Sequence, residues 1–306
     1  MDQGYFNNKK GARDAVGVAT VVLSSLCIAF VPSSAKISMD EGASLMALLV
    51  SRCLIGALLL LPIVVMQSPT PLIPRALLTR TIIATFFSVG MIGCLYSAVQ
   101  FVDVGLAVLI LYMFPLGIAI WSHVSGRQKV NAVQWAAIAG LLAGLVLLMV
   151  DTVMVGSLNG LLLCFGSMIC AMIYTTMSSD LADSLGSALV NLQTNIWSVA
   201  ILSISVLLPL GQNIALPQTT TGWIAILSNG TFYMLGYWLF FEGCRMIGVT
   251  RASILTLVDP LFAAIIAILF LGQFLTIFEW TGFAIILGGL LAVSYTHLTL
   301  PTTGSV

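Results

Sequence analysis

The chain has 306 residues, of which 59% are hydrophobic and only 7% are charged, with 11 Lys and Arg against 11 Asp and Glu. Soluble proteins carry roughly 25% charged residues, so this chain lacks the polar surface that a water-exposed domain needs. A formal net charge of zero supplies no basic face for phosphates, which excludes nucleic acid as a partner. The composition predicts an all-α polytopic membrane protein with room for about ten spans of ~20 residues.

Apolar runs of spanning length follow one another along the chain, bounded by charges, prolines and polar clusters. They predict ten transmembrane helices at residues 15–36, 44–66, 78–99, 104–122, 132–150, 157–178, 186–209, 221–241, 251–271 and 277–294. The first run is longer than the apolar region of a typical signal peptide, so we interpret it as a retained span. Residues 1–14 form a polar N-terminal segment, and residues 295–306 form an atypical Thr- and Pro-containing tail, for which a foreign origin is one interpretation.

The basic residues predict how the chain is oriented. If the N-terminus is cytoplasmic, the cytoplasmic segments hold nine of them: Lys9, Lys10, Arg13, Arg75, Arg80, Arg127, Lys129, Arg245 and Arg251. The external connections hold no Lys or Arg, and their charged residues are the acids Asp40, Glu41, Asp103, Asp151 and Glu279. The positive-inside rule therefore predicts a multi-pass protein of the cell inner (plasma) membrane with both termini in the cytoplasm.

Two halves of the chain, residues 15–150 and 151–294, repeat one pattern. A displacement of 145 positions aligns Pro115 with Pro260, Gln128 with Gln273, Trp135 with Trp280 and Gly144 with Gly289. Each half holds five predicted helices, an odd number, so the second repeat enters the membrane inverted. Inverted repeats are typical of secondary transporters that work by alternating access. A duplicated structural membrane protein is the alternative.

The segment from Leu109 to Gly126, LILYMFPLGIAIWSHVSG, and its counterpart from Gly248 to Gly289 resemble the two repeat signatures of EamA-type members of the drug/metabolite transporter superfamily. The resemblance implies two inverted five-helix repeats around a central cavity and movement of small metabolites, often export of amino acids or related compounds. Lys36 and Arg52 stand where that family tends to place a basic pair. Gln273 departs from the usual Glu, and Ser125-Gly126-Arg127 occupies the same place in the first repeat.

Asp259 is the acid placed deepest in a predicted helix, about eight residues from its cytoplasmic start and therefore ~12 Å deep. An acid at such depth usually faces a water-filled cavity or a partner, which favours a proton site or a site for a cationic substrate group. A structural partner for a buried hydroxyl or cation is the alternative. Pro260 follows it, and Pro260 and Pro115 each lack a backbone N–H, which predicts a kink or hinge.

Arg52 is also ~12 Å deep, measured from the outer end of the second predicted helix. Three interpretations stay open: binding of a substrate carboxylate, pairing with Asp259, and snorkelling to the outer headgroups. Lys36, at the end of its helix, is interpreted as a snorkelling anchor.

Several other polar or aromatic side chains suit a cavity wall. They are Ser24, Ser25, Tyr96, Tyr112, Tyr174, Asn229, Tyr233, Tyr237 and Trp238. Asn229, Tyr233 and Tyr237 recur at every fourth position and form one stripe of the eighth predicted helix. Such a stripe also occurs as interhelical contact or as an interfacial belt.

No metal-ligand spacing, phosphate-binding loop or nucleophile elbow occurs in the sequence, so we expect no enzyme, no metal, no cofactor and no ATP-driven pump. Gly140 and Gly144 form a GxxxG face that suits a close helix contact, either internal or in a homodimer. The expected partners are a small-molecule substrate and membrane lipids. We expect a secondary transporter, with proton coupling at Asp259 preferred; an uncoupled facilitator, a lipid-linked-substrate flippase and, less favoured, a membrane-embedded enzyme are the alternatives.

Overall fold

The computed structural model describes residues 2–67, 72–98, 100–102, 104–127, 132–148, 157–207 and 214–271, with six further positions between 277 and 285. Every regular element in these ranges is helical. The helices are α1 (Asp2–Asp40), α2 (Leu45–Gln67), α3 (Arg75–Ala98), α4 (Val104–Leu111), α5 (Phe114–Val124), α6 (Ala132–Leu148), α7 (Leu158–Leu185), α8 (Ser187–Leu207), α9 (Thr220–Ile247), α10 (Val249–Leu255) and α11 (Asp259–Leu271).

Seven helical stretches in the described ranges are long and apolar enough to cross a membrane, and α5 is a shorter apolar helix. The predicted helix 277–294 and the tail 295–306 lie largely or wholly outside the described residues, as do Gln128, Gln273 and Gly289. The polytopic, all-helical class is therefore confirmed for the described part, and the count of ten stays a prediction.

Two of the predicted helices are not continuous. The prediction of one helix over 104–122 is wrong, because a turn at Tyr112 and Met113 separates α4 from α5. The predicted helix 251–271 is likewise divided, by a 3₁₀ turn at Thr256–Val258 between α10 and α11. A proline stands two residues after the last residue of each interruption, at Pro115 and Pro260, and cannot donate the i→i−4 hydrogen bond that a continuous helix would have there. The apolar pattern alone does not register this loss.

These interruptions fall at equivalent places in the two repeats. The displacement of 145 positions that aligns Pro115 with Pro260 also carries the turn at 112–113 onto 257–258. Pro62, by contrast, lies inside α2 without dividing it. Discontinuous helices in corresponding positions of inverted repeats are a construction that transporters use at their binding sites.

The helix ends also differ from the prediction. The helices α1, α7 and α9 extend beyond the predicted spans 15–36, 157–178 and 221–241, because the span predictions stop where hydropathy falls while the backbone stays helical. At the far end of α9, Gly248 has a φ of 84°, a left-handed conformation that glycine adopts without strain and that ends the helix.

Helices of the first repeat (α1–α6) pack against helices of the second (α7–α11). The main contacts join α1 to α9, α3 to α7 and α2 to α8. Glycines on α9 allow the closest approach: a Cβ added at Gly236 would collide with Ile28, and one added at Gly243 would collide with Val21. The three interfaces bring the middle of α2, α3, α7, α8 and α9 together.

Candidate functional site

A cavity of about 300 Å³ lies between α2, α3, α8 and α9; we call it the Arg52 cavity. Its lining extends from Arg52 and Tyr233 in the middle of their helices to Leu45 and Gln100 at the ends that the sequence assigns to the outside. The rest of the lining is mostly apolar or hydroxylic, with Leu49, Ile92, Tyr96, Leu202, Ser88, Ser198 and Ser205 among it. The cavity is thus a mainly apolar chamber around one guanidinium group.

Arg52 is 6% exposed and is held by an aromatic ring. Its Cζ lies 4.3 Å from the centroid of the Tyr233 ring, a cation–π contact worth about 0.5–2 kcal/mol. The Nε atom is buried without a hydrogen-bond partner. No acidic side chain lines this cavity in the described part of the chain, so Arg52 has no carboxylate partner there and its unsatisfied Nε–H suits an anionic ligand.

A second cavity of about 180 Å³ lies between α1, α7, α9 and the two helix interruptions; we call it the Asp259 cavity. Its polar lining comprises Ser24, Tyr112, Thr175, Tyr237, Thr256 and Asp259. Asp259 is 7% exposed, and its Oδ1 has no hydrogen-bond partner. The buried hydroxyl of Ser25 lies beside this carboxyl without reaching hydrogen-bond geometry.

Both helix interruptions open onto the Asp259 cavity. Leu111, Tyr112 and Phe114 contribute from the first repeat, and Thr256 and Asp259 contribute from the second. Because Pro115 has no N–H, the carbonyl of Leu111 lacks its usual i+4 donor. The interruptions therefore bring polar backbone and a carboxyl group to one place inside an apolar bundle.

Two tyrosines on successive turns of α9 separate the cavities. Tyr233 lines the Arg52 cavity, Tyr237 lines the Asp259 cavity, and their ring centroids are 4.9 Å apart. Tyr174 packs 5.8 Å from Tyr237. The direct pairing of Arg52 with Asp259 that the sequence left open is not found among the ion pairs of the described residues.

The remaining predicted candidates divide between the cavities and the packing. Tyr96 lines the Arg52 cavity, and Ser24 lines the Asp259 cavity while its Oγ donates to the Gly236 carbonyl at 2.7 Å. Asn229 lines neither, because its Nδ2 donates to the Val31 carbonyl at 2.8 Å and joins α9 to α1. Trp238 packs at the edge of an apolar cluster. The stripe of α9 thus combines an interhelical contact with cavity lining.

Sequence reasoning missed the contribution of α8. Asn191, Asn195 and Ser198 are buried, and Ser198 and Ser205 line the Arg52 cavity. The spacing of these four residues, i, i+4, i+7 and i+14, is that of one helical face, and this polar face was the available signal. Lys36, interpreted as an anchor, is exposed and pairs with Asp40 at 3.7 Å.

Ion pairs cluster at the helix ends that the sequence assigns to the cytoplasm; we call this end the charged face. Asp180 of α7 pairs with Arg80 at 2.9 Å and with Arg127 at 3.2 Å. Arg251, counted above with the cytoplasmic connections, is 6% exposed and pairs with Asp14 of α1 at 3.2 Å. All three pairs join the first repeat to the second.

The comparisons with known proteins agree with this architecture. The model of the EamA-like transporter family matches residues 15–150 and again residues 158–295. A solved structure titled "Crystal structure of protein" is similar with a TM-score of 0.80 and 15% identity, over 94% of this chain and 99% of that one, which concerns the fold alone. No curated protein matches the chain. Because the family model covers nearly all of both halves, the chain belongs to the EamA-like transporter family.

Proposed function

We propose that the protein is a secondary transporter that moves small metabolites, amino acids or related compounds, out of the cell by alternating access. The observation that carries the proposal is the buried guanidinium of Arg52, which faces a cavity without an acidic counter-charge in the described residues. An unpaired buried charge is costly unless a ligand completes it. A substrate carboxylate is the ligand whose geometry a guanidinium matches best.

Asp259 is proposed as the coupling site for a proton. It lies in its own cavity, next to an unpartnered hydroxyl, where the interrupted helices of the two repeats meet. A carboxyl group in such surroundings exchanges a proton with whichever side of the membrane reaches the cavity. Tyr233 and Tyr237 stand between the two cavities, and we call this pair of side chains the septum. Movement of the septum would link proton exchange to substrate exchange.

The proposed setting is the inner membrane, with ten spans, both termini in the cytoplasm and the charged face inside. The positive-inside pattern supports this orientation. The ion pairs of the charged face support it further, because they join ends that the topology puts on one side. A homodimer through Gly140 and Gly144 of α6 is kept as a proposal, which cross-linking of a Gly140→Cys variant would test.

The deciding experiment is uptake into proteoliposomes across a panel of amino acids, amines and carboxylates, with and without a pH gradient. Saturable uptake that a pH gradient accelerates supports a proton-coupled transporter. Uptake that ignores the gradient would instead identify an uncoupled facilitator. Failure of every solute together with movement of a labelled lipid would replace the proposal with a flippase.

A further inference from the structure

The charges that line the Arg52 cavity are unbalanced. Among the described lining residues Arg52 is the one that is charged, and the others contribute hydroxyls, a thiol, an amide and apolar groups. Asp259, the acid of the neighbouring cavity, lies behind the septum of Tyr233 and Tyr237. Among the described lining residues, a ligand in the Arg52 cavity therefore meets a positive group and no negative one.

This imbalance discriminates between two kinds of carboxylate. In an amino acid whose carboxylate binds Arg52, the ammonium group sits one carbon away, within a few ångströms of the guanidinium. It would lose water, gain no carboxylate partner in the described lining, and be repelled by a like charge. A carboxylate without an ammonium group incurs neither cost.

The other lining residues indicate which chemical groups the ligand carries besides its carboxylate. Leu45, Met46, Leu49, Ile92 and Leu202 supply apolar walls, which favour a hydrocarbon chain. The volume of about 300 Å³ lies at the small end of ligand sites, which span roughly 300–1,000 Å³. Hydroxyls of Ser88 and Ser198 can serve one further neutral polar group.

We infer that the Arg52 cavity takes a small monocarboxylate with an apolar chain and no ammonium group, such as a 2-oxo acid, in preference to the corresponding amino acid. The inference rests on the proposed function and narrows its substrate class. The charge of Arg52 supplies the affinity, and the absence of an acidic partner in the described lining supplies the discrimination.

A matched pair of solutes tests the inference, because α-ketoisocaproate and L-leucine share one carbon skeleton and differ only at C2. This carbon carries an oxo group in the first and an ammonium group in the second. Uptake of each is measured with the full chain in proteoliposomes, and protein-free liposomes correct for passive entry. We expect kcat/KM for α-ketoisocaproate to exceed that for leucine by about tenfold or more, since an unmatched buried polar group is strongly rejected. Arg52→Gln should abolish the difference by removing oxo-acid transport, and Arg52→Lys should retain part of it.

Lys36→Gln is the control, because Lys36 is an exposed cation outside the cavity and should leave both solutes unchanged. Equal or faster transport of leucine would overturn the inference and leave the proposed transporter intact. Retention of oxo-acid transport by Arg52→Gln would overturn it as well. If no solute of the wider panel moves, the proposed function itself fails.

Discussion

At the scale of single residues, two buried charges lie in separate cavities. Arg52 rests on the ring of Tyr233, and Asp259 faces Ser25, Tyr112 and Tyr237. A carboxylate and a guanidinium in one bundle ordinarily form an ion pair, which lowers the cost of burial for both. Keeping them apart leaves each free for a mobile partner.

The ring of Tyr233 should position Arg52 for its ligand. Tyr233→Phe keeps the aromatic face and should leave KM close to that of the parent protein. Tyr233→Leu removes a contact worth ~1 kcal/mol and should raise KM about fivefold with little change in kcat. Steady-state uptake by the two variants checks this, and equal KM values for Phe and Leu would assign the ring to packing alone.

Asp259→Asn should separate transport from the pH gradient. The amide keeps the size of the side chain but cannot exchange a proton, so we expect a slower rate that no longer responds to the gradient. Uptake at several external pH values measures both quantities. Glu242→Gln is the control, because the Glu242 carboxylate accepts a hydrogen bond from the Ser187 hydroxyl at 2.6 Å and lies outside both cavities. An Asp259→Asn variant with the parent rate and pH dependence would remove the proton role.

At the scale of elements, the prolines of the fourth predicted helix in each repeat divide that helix, whereas Pro62 does not divide α2. The sequence shows Pro115 and Pro260 at equivalent positions of the two repeats, which predicts a kink or hinge at each. It did not predict that each helix divides into two separate helices, because the loss of one hydrogen bond is compatible with a kink as well as with a break. Which outcome occurs depends on the surroundings of each break, such as Ser25 beside Asp259 and Tyr237 in the lining of the Asp259 cavity.

Restoring the missing donor should stiffen the divided helix. Pro260→Ala supplies an N–H to the carbonyl of Thr256, and we expect a several-fold lower transport rate with unchanged or higher thermal stability. The matched control is Pro62→Ala, which we expect to leave the rate within about twofold. Thermal unfolding in detergent and uptake rates measure the two effects. A Pro260→Ala variant as fast as Pro62→Ala would show that the interruption is not used in transport.

How much of the candidate site could be predicted depends on whether a feature follows from the local sequence or from contacts between helices. Arg52, Asp259, Tyr96, Tyr233 and Tyr237 are identifiable from sequence, since charge and polarity are rare in spanning helices. Their division into two cavities was not, because it depends on the rotation of α9 against α2 and α1. That rotation is set by glycines such as Gly230 and Gly236, against which Ile55 and Ile28 pack.

At the scale of the whole molecule, the two faces differ in how they join the repeats. The charged face uses ion pairs between repeats, with Asp180 and Asp14 as the acids. The opposite face uses hydrogen bonds between the loop at Glu41 and the segment at Gln218 and Thr219. The Arg52 cavity extends towards that second face, whereas ion pairs join the repeats at the charged face.

The proposed alternating access requires the ion pairs of the charged face to separate in part of the cycle. Asp180→Asn removes the partner of both Arg80 and Arg127 and should shift the population towards the form open at this face. A Thr175→Cys reporter, whose parent residue lines the Asp259 cavity, should then react several-fold faster with an impermeant maleimide added on the side of the charged face. The measurement uses a background without native cysteines.

Asp40→Asn provides the matched control, because the ion pair of Asp40 with Lys36 lies within α1 and does not connect the first repeat to the second. Exposed pairs contribute only about 0–1 kcal/mol to stability, so neither variant should unfold, and a shift in labelling reports the conformational equilibrium. The proposed alternating access gives the expected sign: loss of the pairs favours exposure of the Asp259 cavity on the charged face and disfavours exposure of the Arg52 cavity on the other. Equal labelling in Asp180→Asn and Asp40→Asn would mean that apolar packing between α3 and α7, not charge, closes this end.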